Sequence, residues 1–173
     1  MGLRADLICL GKALGGGLPL SACLGRREIM DAWPPSEGEA LHTSTFLGHP
    51  LACAAGLAVL DALETEAVPE RARLLGSRLV NELRERLRGV GAVADVRGLG
   101  LMIGIELVGR KGREPLAGGA VRVARAALQE GLLVLPGGEV GHVVTLSPTV
   151  ALTEAQVTFV LDVLPRCIRQ ATE

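Results

Sequence analysis

The chain has 173 residues, enough for one domain or a domain with a short appendage, and its 49 % hydrophobic content is ample for a packed core. Its 18 basic and 19 acidic side chains leave a net charge of -1, so no long-range field draws it to nucleic acid or an anionic membrane. No run reaches the roughly 18 apolar residues of a membrane span, no secretory signal pattern opens the chain, and the four cysteines show no C-x-x-C spacing; a reduced, cytoplasmic setting is expected.

Leu7-Ile8-Cys9-Leu10 is expected to form a short buried strand ending near Lys12. Residues 15–19 read as a loop, 21–25 as a second strand and 26–31 as a polar turn of helix. A surface loop at residues 34–38 leads to His42-Thr43-Ser44-Thr45-Phe46 and then to Gly48-His49-Pro50. Pro50 suits a first helical position. The alanine-rich run that follows, with Leu57, Val59, Leu60 and Leu63, is so apolar that it is expected to be buried on most sides. A second helix is predicted over 69–88. Leu75, Leu79, Leu83 and Leu87 form its stripe, Leu74 and Val80 widen it, and Gly89 stops it.

Beyond residue 90 the alternation changes to shorter elements. Strands are predicted over 93–96 and 101–108, joined by a turn at Arg97-Gly98-Leu99-Gly100. A charged loop covers 109–115, a short helix 120–129, and strand candidates lie at 132–135 and 143–146. The last helix starts at Thr153, where Thr-x-x-Gln forms a capping box, and it buries Val157, Val160, Leu161 and Leu164. The change near residues 89–95 divides the chain into 1–90 and 91–173, and the second part reads as a compact α/β or α+β lobe.

Lys12 is the leading chemical candidate, since an apolar run delivers it directly into the tract Gly15-Gly16-Gly17. An amine with a reference pKa of about 10 is a poor nucleophile at neutral pH. Burial or a cationic neighbour frees its lone pair for a Schiff base. By itself Lys12 fits a solvent-exposed lysine at a strand end better than a covalent anchor. Ser44 and Thr45 offer hydroxyls and amides just before a helix, a natural arrangement for phosphate and also for ordinary capping. The histidines His42, His49 and His142 have no metal-ligand spacing, and no metal site is expected. Arg97 can hold a substrate carboxylate or brace a loop against a carboxylate of the chain. Cys53, in its alanine-rich helix, reads as a packed small hydrophobe.

Three segments, taken together, resemble landmarks of the class III aminotransferases, pyridoxal-phosphate enzymes of fold type I. Residues 6–19 around Lys12 resemble the cofactor-lysine segment. Thr43-Ser44-Thr45-Phe46-x-Gly48-x-Pro50-Leu51-Ala52-Cys53-Ala54-Ala55 resembles the next, and Arg97-Gly98-x-Gly100-Leu101-Met102-x-Gly104-x-Glu106-Leu107 a third. They occur in family order and span almost the whole chain.

The resemblance implies an α/β fold: the C-terminal part of a fold-type-I transferase. Residues 1–90 would be an incomplete cofactor-binding large domain with a linking helix, and 91–173 a small α+β domain. Lys12 would hold pyridoxal 5'-phosphate covalently and shuttle the proton. Thr45, with Ser44, would bind the cofactor phosphate from a neighbouring subunit, so the complete enzyme would be a homodimer or a dimer of dimers. The reaction would pass an amino group from an amine or (omega-)amino acid to a 2-oxo acid. A decarboxylase, racemase or aminomutase of the same fold is the enzymatic alternative, and a non-catalytic fragment is the other.

Two local departures stand out. His49 replaces a frequent asparagine. Thr145 stands where many members that use amino acids carry an arginine for the substrate α-carboxylate, and it cannot form that bidentate pair. The family's glycine and hydroxyl phosphate loop, its stacking aromatic and its pyridine-nitrogen aspartate have no counterpart in this segment, and a partial large domain would expose apolar surface.

Overall fold

The computed structural model describes residues 2, 4–38, 43–109 and 114–172. His42 and residues 110–113 of the charged loop therefore lie outside the described residues. The chain divides into two compact units, residues 1–67 and 68–173.

In the first unit, β1 (Leu7–Leu10) and β2 (Ala22–Gly25) form an antiparallel pair, with Ile8 opposite Leu24 and Cys9 opposite Cys23. A 3₁₀ turn, Lys12–Gly15, leaves β1, and a four-residue helix α1 (Arg27–Met30) follows β2. The helix α2 (Pro50–Thr65) starts at Pro50 as expected.

Burial in this unit departs from expectation. Leu7, Ile8 and Leu10 are all exposed, so β1 is not a buried strand. On α2, Leu51, Leu57, Leu60 and Leu63 face solvent, while the small residues Ala52 and Gly56 are buried and Ala55, Val59 and Ala62 are partly covered. Those five share one stripe at helical spacing. The helix uses its small side chains for close approach and leaves its leucines outside. Cys53 lies on the exposed part of the helix, not in a packed core.

The second unit is a mixed α/β arrangement. It comprises α3 (Val68–Arg86), β3 (Val93–Leu99), β4 (Met102–Leu107), α4 (Gly119–Gln129), β5 (Leu135–Gly137), β6 (Val143–Leu146) and α5 (Glu154–Thr172). The four strands form one antiparallel sheet in the order β3-β4-β6-β5. The strand predicted over 132–135 is shifted toward Gly137, and Arg97 lies within β3 rather than in a turn. Alternation along β4 buries Ile103, Ile105 and Leu107 and turns Met102, Gly104 and Glu106 to the other face.

The buried face packs against α3, α4 and α5. Leu79 and Leu83 of α3, Val123 of α4, and Val157, Leu164 and Ile168 of α5 join Ile105 and Val144 in one core. Each fully buried side chain of this size contributes about 1.5–3 kcal/mol. Leu79, Leu83 and Leu87 carry the expected stripe with Val80, whereas Leu74 is exposed. At the start of α5, the Thr153 amide donates to Gln156 Oε1 at 2.9 Å and the Gln156 amide to Thr153 Oγ1 at 3.3 Å. That reciprocal pair is the expected capping box. A Cβ at Gly76 on α3 would stand 1.9 Å from the Gly100 carbonyl oxygen, so only glycine lets the helix meet the β3–β4 turn.

Candidate active site

Lys12 stands at φ 56°, in the left-handed region that non-glycine residues rarely occupy. Holding it there costs on the order of 1–2 kcal/mol, so the surroundings must impose the conformation. Several contacts do so. The Leu14 amide donates to the Gly11 carbonyl at 3.2 Å, and the Gly16 amide donates to the Ala13 carbonyl at 3.0 Å. Gly16 itself ends the turn at φ 58°, where glycine is free of the side-chain clash. From the other side α2 seats the turn: a Cβ at Gly56 would meet Leu20 Cδ2 at 2.6 Å and the Leu14 carbonyl at 3.4 Å. Gly56 is a positioning residue that residue patterning alone did not single out. Lys12 is exposed, and among the described residues no hydrogen bond or ion pair engages its Nζ.

Ser44 and Thr45 lie in a pair of tight turns before α2. The Leu47 amide donates to the Ser44 carbonyl at 3.1 Å, and the His49 amide to the Phe46 carbonyl at 3.1 Å. Phe46 and His49 meet edge to face with centroids 6.0 Å apart. Both hydroxyl residues are exposed, and among the described residues their side chains are uncommitted. Ser44 lines an open cleft of about 310 Å³ with Pro19, Leu20, Ser21, Phe46, Leu47 and Gly48. The cleft brings Ser44 beside the glycine-tract loop. Neither Lys12 nor Thr45 is among its lining residues.

In the second unit, Arg97 occupies the open face of the sheet. Its direct cross-strand partner is Gly104, which has no side chain, so the guanidinium reaches diagonally to Glu106. Arg97 Nη1 donates to Glu106 Oε2 at 2.6 Å and to Asp95 Oδ2 at 3.1 Å. These bonds, Glu106 first, push the Arg97 guanidinium above its ordinary range. Thr145 lies one strand further, opposite Gly104, and lines with Arg97 a shallow hollow of about 430 Å³. A substrate carboxylate approaching Arg97 would compete with two carboxylates already in place. Period-two alternation along 95–97 was the available signal for the Asp95 partnership; the Glu106 one needed the register.

An uncommitted amine is in general able to form a Schiff base, and uncommitted hydroxyls before a helix are able to donate to a phosphate. Among the described residues, no group of three His, Cys, Asp or Glu side chains is arranged to hold a metal ion. No described helix is long and apolar enough to cross a membrane.

Residues 1–168 match the family model for class III aminotransferases. The chain is 41 % identical over 164 residues to a 4-aminobutyrate aminotransferase of Mycobacterium tuberculosis, covering 94 % of this chain and 35 % of that protein. It is 37 % identical over 173 residues to a leucine/methionine racemase of Thermococcus litoralis, covering 99 % of this chain and 38 % of the relative. An amine transaminase from an uncultivated Pseudomonas species, solved with pyridoxal phosphate bound, superposes with a TM-score of 0.85 at 35 % identity. That likeness covers 98 % of this chain and 39 % of the solved one. The chain belongs to the class III aminotransferase family. It spans a little over a third of the length of these relatives.

Proposed function

We infer that this chain serves a pyridoxal-phosphate-dependent transamination between an amine or (omega-)amino acid and a 2-oxo acid. The observation that carries the reading is the family match across residues 1–168, with a strained, solvent-facing and uncommitted Lys12 inside it. Lys12 Nζ would hold the cofactor covalently, and its free amine would serve as the base and acid for the proton on the substrate carbon. Thr45 and Ser44 hold the phosphate, supplied across a homodimer interface, which accords with Lys12 lying outside the cleft that Ser44 lines. Bound pyridoxal phosphate supplies the electron sink for the carbanion. Arg97, held by Glu106 and Asp95, braces the sheet face beside Thr145. Thr145 makes no bidentate pair with a carboxylate, which favours donors held in some other way.

In this reading the protein has a fold-type-I architecture and works in the cytoplasm. Residues 1–90 belong to the large domain with its linking helix, and 91–173 form the small domain. α3 is that linking helix, although its contacts group it with the second unit. Racemisation is a second reading, favoured by the 37 % identity to the racemase over the full length of this chain. A non-catalytic role for the 173-residue chain alone is favoured by the solvent-facing leucines of the first unit.

Borohydride reduction after incubation with pyridoxal phosphate tests the anchor. A pyridoxyl label on Lys12 is expected by peptide mass, and Lys12→Ala abolishes it. Labelling spread over several lysines, unchanged by that substitution, would sink the reading. Product analysis with paired amine and 2-oxo-acid substrates separates amino transfer from inversion of an amino acid. Turnover by the isolated chain would defeat the non-catalytic role.

A further inference from the structure

We propose that Cys9 and Cys23 form a reversible dithiol–disulfide couple that staples the segment carrying Lys12. The two residues are directly opposite in the β1–β2 pair, and both are exposed free thiols. The Arg26 amide donates to the Asp6 carbonyl at 3.2 Å, which makes residues 6 and 26 a hydrogen-bonded pair. Antiparallel pairs alternate, so 8 and 24 are bonded next, and Cys9 and Cys23 occupy a non-hydrogen-bonded position. Opposed residues at such positions have Cα atoms about 4.5 Å apart. Disulfides span Cα separations of about 4.4–6.8 Å. The spacing typical of this register therefore falls within the range that a disulfide can bridge.

The neighbouring Cys9 thiol, with a smaller contribution from burial, pushes the Cys23 thiol above its ordinary pKa. The other cysteines lack this arrangement. Cys167 is buried, and burial pushes its thiol up. Cys53 lies on α2 outside the strand pair. The cross-link would close a loop of residues 10–22, which holds Lys12, its 3₁₀ turn and the glycine tract.

The oxidant is a low-molecular-weight disulfide such as oxidised glutathione. The Cys9 thiolate attacks one of its sulfurs and releases one glutathione thiolate, leaving a mixed disulfide. Cys23, losing its proton to solvent, attacks the Cys9 sulfur and releases the second glutathione thiolate. Two protein thiols lose two electrons, and one small disulfide gains them. Exposed disulfides are the more readily reduced ones, which makes the couple reversible.

The test needs no pyridoxal phosphate and is independent of the cofactor reading. The 173-residue chain is equilibrated across ratios of oxidised to reduced glutathione, quenched with N-ethylmaleimide and mapped by mass. The expected result is a linked Cys9–Cys23 peptide under oxidising conditions, with slowed amide exchange over residues 11–21. Dithiothreitol reverses both. Cys9→Ser and Cys23→Ser each abolish the linked peptide and leave a glutathione adduct on the remaining thiol, while Cys53→Ser preserves it. Independent alkylation of Cys9 and Cys23 across the whole range, or pairing of either with Cys53, overturns the proposal. The wild-type map decides the matter even where a serine variant fails to fold.

Discussion

Leu164 on α5 and Leu57 on α2 both come from helices rich in apolar residues, yet the first is fully buried and the second is 64 % exposed. The contrast extends to the two units. In the second, one face of a four-stranded sheet is covered by three helices, and its branched side chains interlock in a single core. In the first, there is only a two-stranded ribbon, the long helix approaches the 3₁₀ turn and its loop through glycine, and the leucines remain outside. Two strands have no second layer large enough to bury an apolar face. Apolar composition therefore measures what a segment can bury, and layer count decides whether it does so in this chain.

The contrast can be broken most directly by removing the same side chain on both sides of it. Leu164→Ala should destabilise the second unit by about 2–5 kcal/mol through lost burial and a cavity. Leu57→Ala should change stability by less than about 0.5 kcal/mol. Guanidinium unfolding followed by circular dichroism measures both, and equal losses would show that the exposed leucines are structurally engaged. Gly76→Ala comes next, at about 1–3 kcal/mol destabilising. Alanine gains up to about 1 kcal/mol of helix propensity over glycine. The atom its Cβ meets, the Gly100 carbonyl oxygen, is backbone and cannot rotate away. A more stable Gly76→Ala variant would refute that close approach. Thr153→Ala should cost less than either core change, about 1 kcal/mol from the lost cap. Amide exchange should quicken in the first turn of α5 and stay unchanged in α3; uniform quickening would mean the cap is not a local device.

The second unit was the more legible in sequence. The leucine spacing of α3, the capping box at Thr153 and Gln156, and the strand at 143–146 all report local periodicity or local hydrogen bonding. These signals survive without knowledge of neighbours. β5 was misplaced because Leu132 and Val134 are core residues that precede the strand, so burial and strand pairing disagree there. In the first unit the apolar runs pointed to burial and the structure reversed it for β1 and α2. For the candidate site, Lys12 and the Ser44-Thr45 turn stood out through residue type and order. Gly56, the partners of Arg97 and the facing cysteines did not, because each depends on which residue lies across a gap between elements.

The sequence by itself determined the family, the order of helices and strands, and the residue types available for covalent anchoring and phosphate binding. All of these are carried by neighbours along the chain. Only the tertiary structure decided that Lys12 adopts a left-handed backbone against α2, that Arg97 is already held by two carboxylates, and that Cys9 faces Cys23. The physical reason is the same in each case. Strand register and helix approach are set by pairing and packing between segments distant in sequence, and a one-residue slip in β1 against β2 would remove the cysteine pair without altering a single residue.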